Sequence, residues 1–211
     1  MPGSIYFNTK DKFIQWKLNK ALFEMIENID KTYKSVSVIC IGTDRSTGDS
    51  FGPLTGHMLS ALSLVEFDLY GTLERPVHAL TLPDVLDGVD TDDSLVIAVD
   101  AGVGNADMVG SIGMSYEPVK PGSGLGKTLP SVGDISLTGI VAMGGLAPFI
   151  MLQNAPLGLV YNMAEKTFFA IQYALRTIQL KERLDRKSTV IKNDNKFTNS
   201  DLPSSYTAQN G

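Results

Sequence analysis

Val36-Ser37-Val38-Ile39-Cys40-Ile41 runs into Gly42, and Leu95-Val96-Ile97-Ala98-Val99 runs into Asp100. Short apolar runs rich in β-branched residues suit parallel strands buried on both faces, because such strands need apolar side chains above and below the sheet. Each run is followed by turn formers or small residues, so each is expected to end near Gly42 and Asp100. Helical patterns lie between and around them. Ile14, Leu18, Leu22, Met25, Ile26 and Ile29 recur at helical spacing, which predicts an amphipathic helix over 11–30. Gly42 to Asp49 is dense in turn residues and reads as a loop. Pro53, followed by Leu54, Met58, Leu59, Leu62 and Val65, marks a helix with proline in its first turn.

Further along, Asp68 to Leu73 and Val77 to Leu82 are candidate strands, and Asp84 to Val89 a short helix. Val109 to Tyr116 is another candidate strand. Residues 117–131 hold three prolines and three glycines and predict a long irregular loop, a feature that in compact domains tends to serve function. A helix is expected over Ser136 to Gln153, a last strand over Leu157 to Val160, and a strong terminal helix over Met163 to Leu184. Helices alternating with buried strands predict an α/β layered fold with a mostly parallel sheet. One domain over 1–184 is expected, with a polar, flexible tail over 185–211.

Composition narrows the functional classes. The 211 residues are 43% hydrophobic and 19% charged, which fits a globular chain. A net charge of −5 argues against nucleic acid as a partner, since duplex affinity is built on clustered Lys and Arg. No stretch reaches the roughly 18 apolar residues of a membrane span, so no membrane partner is expected. The opening Met-Pro-Gly-Ser-Ile-Tyr lacks a basic segment followed by an apolar one; we expect no signal peptide and a cytoplasmic protein. The one cysteine, Cys40, reads as a small core residue.

In an open parallel sheet, ligands collect beyond the carboxyl ends of the strands. Asp49 closes the loop after the first strand, and Asp100 terminates the second. If those strands are neighbours, both acids face one crevice. Two close carboxylates cannot both ionise cheaply, so one keeps a proton while the other stays charged. The charged one can take a proton from water, and the protonated one can polarise a carbonyl or protonate a leaving amine. Taken alone, Asp49 reads first as the cap of the helix that contains Pro53, and only its pairing with Asp100 favours a functional role. Asp100, at the end of an apolar run, needs a partner of some kind. Arg45 can hold a carboxylate or a substrate carbonyl, or pair with Asp44 on the surface. Asp134 can be a third acid in the crevice or the cap of the following helix.

Other chemistries find less support. His57 and His78 form no His-x-x-x-His pair and have no cysteine ligand beside them, so no metal cage and no cofactor are expected. There is no Gly-x-Ser-x-Gly elbow. Gly126-Lys127-Thr128 ends like a phosphate loop, but Pro121 occupies its first glycine position and Pro130 follows too soon for a helix to start at the lysine. Nucleotide binding there is the rival that this segment raises.

Gly42-Thr43-Asp44-Arg45-Ser46-Thr47-Gly48-Asp49-Ser50-Phe51-Gly52-Pro53-Leu54 resembles the signature of the YyaC-type sporulation proteins of endospore-forming bacteria. Tyr70-Gly71-Thr72-Leu73, Pro76-Val77-His78-Ala79, Ala98-Val99-Asp100-Ala101 and Ser131-Val132-Gly133-Asp134 follow in the same order, and the likeness spans roughly residues 35–184. That family is similar to the spore germination protease and, more distantly, to hydrogenase maturation peptidases. The resemblance implies a three-layer αβα sandwich of the phosphorylase/hydrolase-like kind. It also implies two acting aspartates, matched by Asp49 in Asp49-Ser50-Phe51-Gly52-Pro53 and by Asp100 in Val99-Asp100-Ala101. The maturation peptidases add a histidine that holds their substrate's metal, and no residue here is matched to it. The expected function is a sporulation-associated peptidase acting on a protein or peptide, a spore protein among the candidates, with Arg45 and Asp134 assisting in binding. The alternative is a non-catalytic binding or assembly factor in sporulating cells, and a homo-oligomer stays open.

Overall fold

The computed structural model describes residues 3–122, 129–145 and 147–198, with side chains described up to residue 187. Six strands form one mixed sheet in the order β1-β5-β6-β4-β2-β3. The strands are β1 (Ile5–Asn8), β2 (Ser35–Cys40), β3 (Asp68–Tyr70), β4 (Ser94–Gly104), β5 (Ser111–Ser115) and β6 (Ile135–Met143). The neighbours β3, β2, β4 and β6 pair in parallel, while β5 is antiparallel to both β6 and β1. Only β5 therefore runs against the rest. The fold is α/β, as the buried runs at 36–41 and 95–99 predict.

The period of two along each strand divides the sheet into two apolar faces. Val38, Cys40, Leu95, Ile97, Val99, Ile135 and Leu137 share one core with α1 (Ile14–Glu27), α2 (Phe51–Ser60) and α5 (Leu157–Thr198). Ile39, Ile41, Val96 and Ala98 point the other way, against Leu82, Val85 and Leu86 of α3 (Leu82–Gly88) and against Val119 and Val132. On α5, Val160, Met163, Ala164, Ala170, Ile171, Ala174 and Leu175 are buried at helical spacing. That stripe clamps α1 and α2 onto the first face.

Four expectations change. Residues 136–153 are not one helix: β6 occupies Ile135–Met143, and α4 spans only Pro148–Gln153. In the first half of β6 the side chains alternate, Ile135 and Leu137 on one face and Ser136 and Thr138 on the other, which is strand periodicity. Leu157–Val160 is not a strand but the first turn of α5, where the N–H groups of Leu159 and Val160 both donate to the Pro156 carbonyl. Around Val77 there is a single bridge to Ile41, and the chain turns into α3 instead of forming a strand. The terminal helix also continues past Leu184 to Thr198, covering part of the expected tail; residues 199–211 lie outside the described residues. No described helix is long and apolar enough to cross a membrane.

Candidate functional site: an acid pair at the sheet edge

Past Cys40 the ladder between β2 and β4 closes with the Ile41 N–H donating to Val99 O at 2.7 Å. The chain then turns back tightly. Gly42 has φ +141°, and a Cβ on it would stand 2.0 Å from the Asp49 carbonyl oxygen; a Cβ on Gly52 would stand 2.1 Å from the Ile41 carbonyl oxygen. Only glycine allows the loop and the start of α2 to lie this close to the strand end. The Thr43 N–H donates to the Asp49 carbonyl at 3.2 Å and closes the loop. Asp49 is thereby held in a one-turn 3₁₀ helix, Gly48–Ser50, over the carboxyl edge of the parallel strands.

Asp100 does not end its strand, because β4 continues to Gly104. It is, however, the first residue of β4 past the last β2–β4 pair, Cys40–Val99. Register aligns it with Thr138 on β6, Thr138 with Gly113 on β5, and Gly113 with Tyr6 on β1. These four positions make one row across the sheet, three strand spacings or about 14 Å long. Gly113 leaves a hollow in the row, and the Tyr6 ring lies over it, 2.7 Å from where a Gly113 Cβ would sit.

Asp49 and Asp100 line the same cavity, of about 310 Å³. Tyr6, Thr138 and Lys120 line it too, and Pro148 and Leu152 of α4 also contribute. Burial pushes the Asp100 carboxyl up to about 8, and the charge of Asp49 adds to the rise; a hydrogen bond from the Ala101 N–H to Asp100 Oδ1 (2.9 Å) opposes it only in part. At neutral pH Asp100 is therefore mostly a carboxylic acid. A protonated carboxyl beside a second acid in one cavity can donate a proton while its neighbour accepts one.

The other sequence-derived site residues do not join the pair. Asp134 sits at the amino end of β6, where its Oδ2 accepts from Lys31 Nζ at 2.6 Å and from the Val96 N–H at 2.8 Å. Lys31 also donates to the carbonyls of Thr91 and Ser94, both at 2.8 Å. Asp134 thus neither lines the cavity nor caps a helix; it ties the helix-to-strand connection at residue 31 to the sheet. Arg45 is exposed on the first loop and is not part of the cavity lining. Asp49 is not a capping residue in the expected sense, since the cap position before α2 is held by Ser50. His57 is exposed on α2 and faces Glu74, with Nδ1–Oε1 at 3.2 Å. Among the described residues, no cluster of three or more His, Cys, Asp and Glu is arranged to hold a metal ion. The segment Gly126-Lys127-Thr128 and most of the glycine-rich stretch 121–126 lie outside the described residues.

Tyr6, Lys120 and Thr138 are the polar lining residues that the sequence reading did not name as site residues. The alternation in 135–142 was the signal for Thr138, because it sets Thr138 two residues from Ser136 on the Asp100 face.

A family profile described as "Protein of unknown function (DUF1256)" matches residues 6–169. The chain belongs to the DUF1256 family. It is also similar to the Uncharacterized protein YyaC of Bacillus subtilis (strain 168), with 44% identity over 154 residues, covering 72% of this chain and 75% of that protein. The YyaC-type likeness read from residues 42–54 holds at this level. The DUF1256 range takes in both acids and every other cavity residue named above.

Proposed function

We propose that this DUF1256 chain is an aspartate-dependent peptide hydrolase in which Asp49 and Asp100 divide one proton. The observation that carries the reading is the convergence of the two acids in one cavity, with Asp100 held protonated at neutral pH by burial and by the Asp49 charge. In this mechanism Asp100 donates a hydrogen bond to the carbonyl oxygen of the scissile peptide. Asp49, as carboxylate, takes a proton from a water whose oxygen adds to the carbonyl carbon. The tetrahedral centre then collapses, the C–N bond breaks, and the amine leaves with a proton from the acid pair. No covalent intermediate is required in this mechanism, and among the described lining residues no serine or cysteine is found.

The three-layer αβα architecture and the kinship with the spore germination protease belong to the same proposal. Two apolar faces with helices against each support the first. The segments Asp49-Ser50-Phe51-Gly52-Pro53 and Val99-Asp100-Ala101 support the second. A protein or peptide of sporulating cells is then the substrate, and the cytoplasm the site of action. The test is cleavage of proteins in extracts of sporulating cells by wild type, Asp49→Asn and Asp100→Asn. Turnover by wild type that falls at least a hundredfold in both variants supports the reading. Equal turnover in all three ends it. A stable, uncleaved protein retained by wild type and both variants would favour the binding or assembly role.

A further inference from the structure

A second cavity lies on the β3 side of the sheet, away from the acid pair. It is larger, about 770 Å³, and none of its lining residues is shared with the acid pair's cavity. Its walls are mainly apolar: Leu59 and Leu62 around the end of α2, Phe67 and Leu69 at edge strand β3, and Val85 on α3. A volume of several hundred Å³ with apolar walls and few polar groups is the usual form of a small-molecule site.

The polar groups here differ in what they have left to offer. Ser60 Oγ already donates to the His57 carbonyl at 2.7 Å, Thr72 Oγ1 accepts from the Arg75 N–H at 3.2 Å, and Thr81 Oγ1 accepts from the His78 N–H at 3.1 Å. Arg75 is the one charged side chain among the described lining residues. The adjacent acid, Glu74, is not part of the lining; its carboxylate is held by the Thr72 side chain at the rim and by His57 at 3.2 Å. No carboxylate stands within ion-pair distance of the Arg75 guanidinium among the described residues. A greasy groove with one arginine and no acid among its described lining residues selects an anion on an apolar body.

The edge of β3 argues for a small occupant over an added strand. It is three residues long, and the chain leaves it at Gly71 for a turn in which the Thr72 N–H donates to the Arg75 carbonyl at 3.2 Å. An incoming peptide strand would find almost no ladder to join. We infer that the groove between α2, β3 and α3 binds a small amphipathic carboxylate, its acid on Arg75 and its chain on the apolar walls.

Dodecanoate is the probe, used below its aggregation concentration, with dodecanol and dodecylamine as controls in isothermal titration of the full chain. Expected is saturable binding of one dodecanoate per chain, at least tenfold tighter than dodecanol, with dodecylamine weakest. Arg75→Gln, at an exposed position, should remove the preference for dodecanoate over dodecanol. Val85→Trp should weaken both by filling the groove. Absence of saturation, a stoichiometry well above one, or an undiminished preference in Arg75→Gln would overturn the assignment. Because the readout is binding, none of these outcomes bears on the acid pair.

Discussion

Replacing Asp100 by Asn should make the protein more stable at neutral and alkaline pH, and the gain should vanish in acid. The carboxyl is raised from 3.8 to about 8 in the folded chain, chiefly by burial. Between those values the folded state holds a proton that the unfolded state has released. Stability therefore falls as pH rises through this window and levels off once the folded carboxyl ionises near 8. At about 1.4 kcal/mol per pKa unit, the loss reaches about 4 kcal/mol by pH 7 and about 5 kcal/mol by pH 8. Asn keeps an oxygen for the Ala101 N–H, which Asp100 Oδ1 accepts at 2.9 Å, and has no charge to desolvate. Urea unfolding of wild type and Asp100→Asn at pH 5, 6, 7 and 8 isolates the effect of the acid pair, because every titrating group outside the pair is common to both. The difference in unfolding free energy should widen by about 4 kcal/mol in favour of the variant from pH 5 to pH 8. Parallel stability curves would show that Asp100 titrates as an ordinary surface acid, and the reasoning would fail at its first step.

Asp134 is structural on this account, so Asp134→Ala should cost about 2–3 kcal/mol in a thermal or urea melt, through the orphaned Lys31 and the Val96 N–H. Any peptidase activity should survive once the variant is folded. Gly71→Ala should destabilise by at least about 3 kcal/mol, since φ is +88° and the new Cβ would fall 1.8 Å from the Cys40 carbonyl oxygen. Cys40 is fully buried and burial drives its thiol ionisation far upward, so iodoacetamide at pH 8 should label it only after unfolding, as mass spectrometry would show.

The centre of the sheet was legible because its strands carry unbroken apolar runs. Val36–Ile41 and Leu95–Val99 need burial on both faces, and a parallel sheet between helices is the arrangement that supplies it. The sequence placed Asp49 and Asp100 near the ends of those runs, and strand adjacency brought them into one cavity. Less regular elements misled. Ile135–Met143 mixes Ser136, Thr138 and Gly139 with apolar residues, and the glycines and proline just beyond it blurred the change from period 2 to period 3.6. Leu157–Val160 is too short for periodicity to separate a strand from a first helical turn. Asp134 shows a further limit: nothing near it in sequence reveals Lys31, which lies 103 residues away and decides its role. Tyr6 reaches the cavity through two antiparallel pairings that local patterns do not encode.

The sharing of one proton between the two acids is tested most directly by carbon-detected NMR titration of the Asp100 side-chain carboxyl in wild type and in Asp49→Asn. The account predicts a wild-type midpoint near 8 that drops when Asp49 loses its charge, yet stays above 3.8 because burial is the larger cause. A wild-type midpoint near 4, or one that Asp49→Asn leaves unmoved, would contradict it.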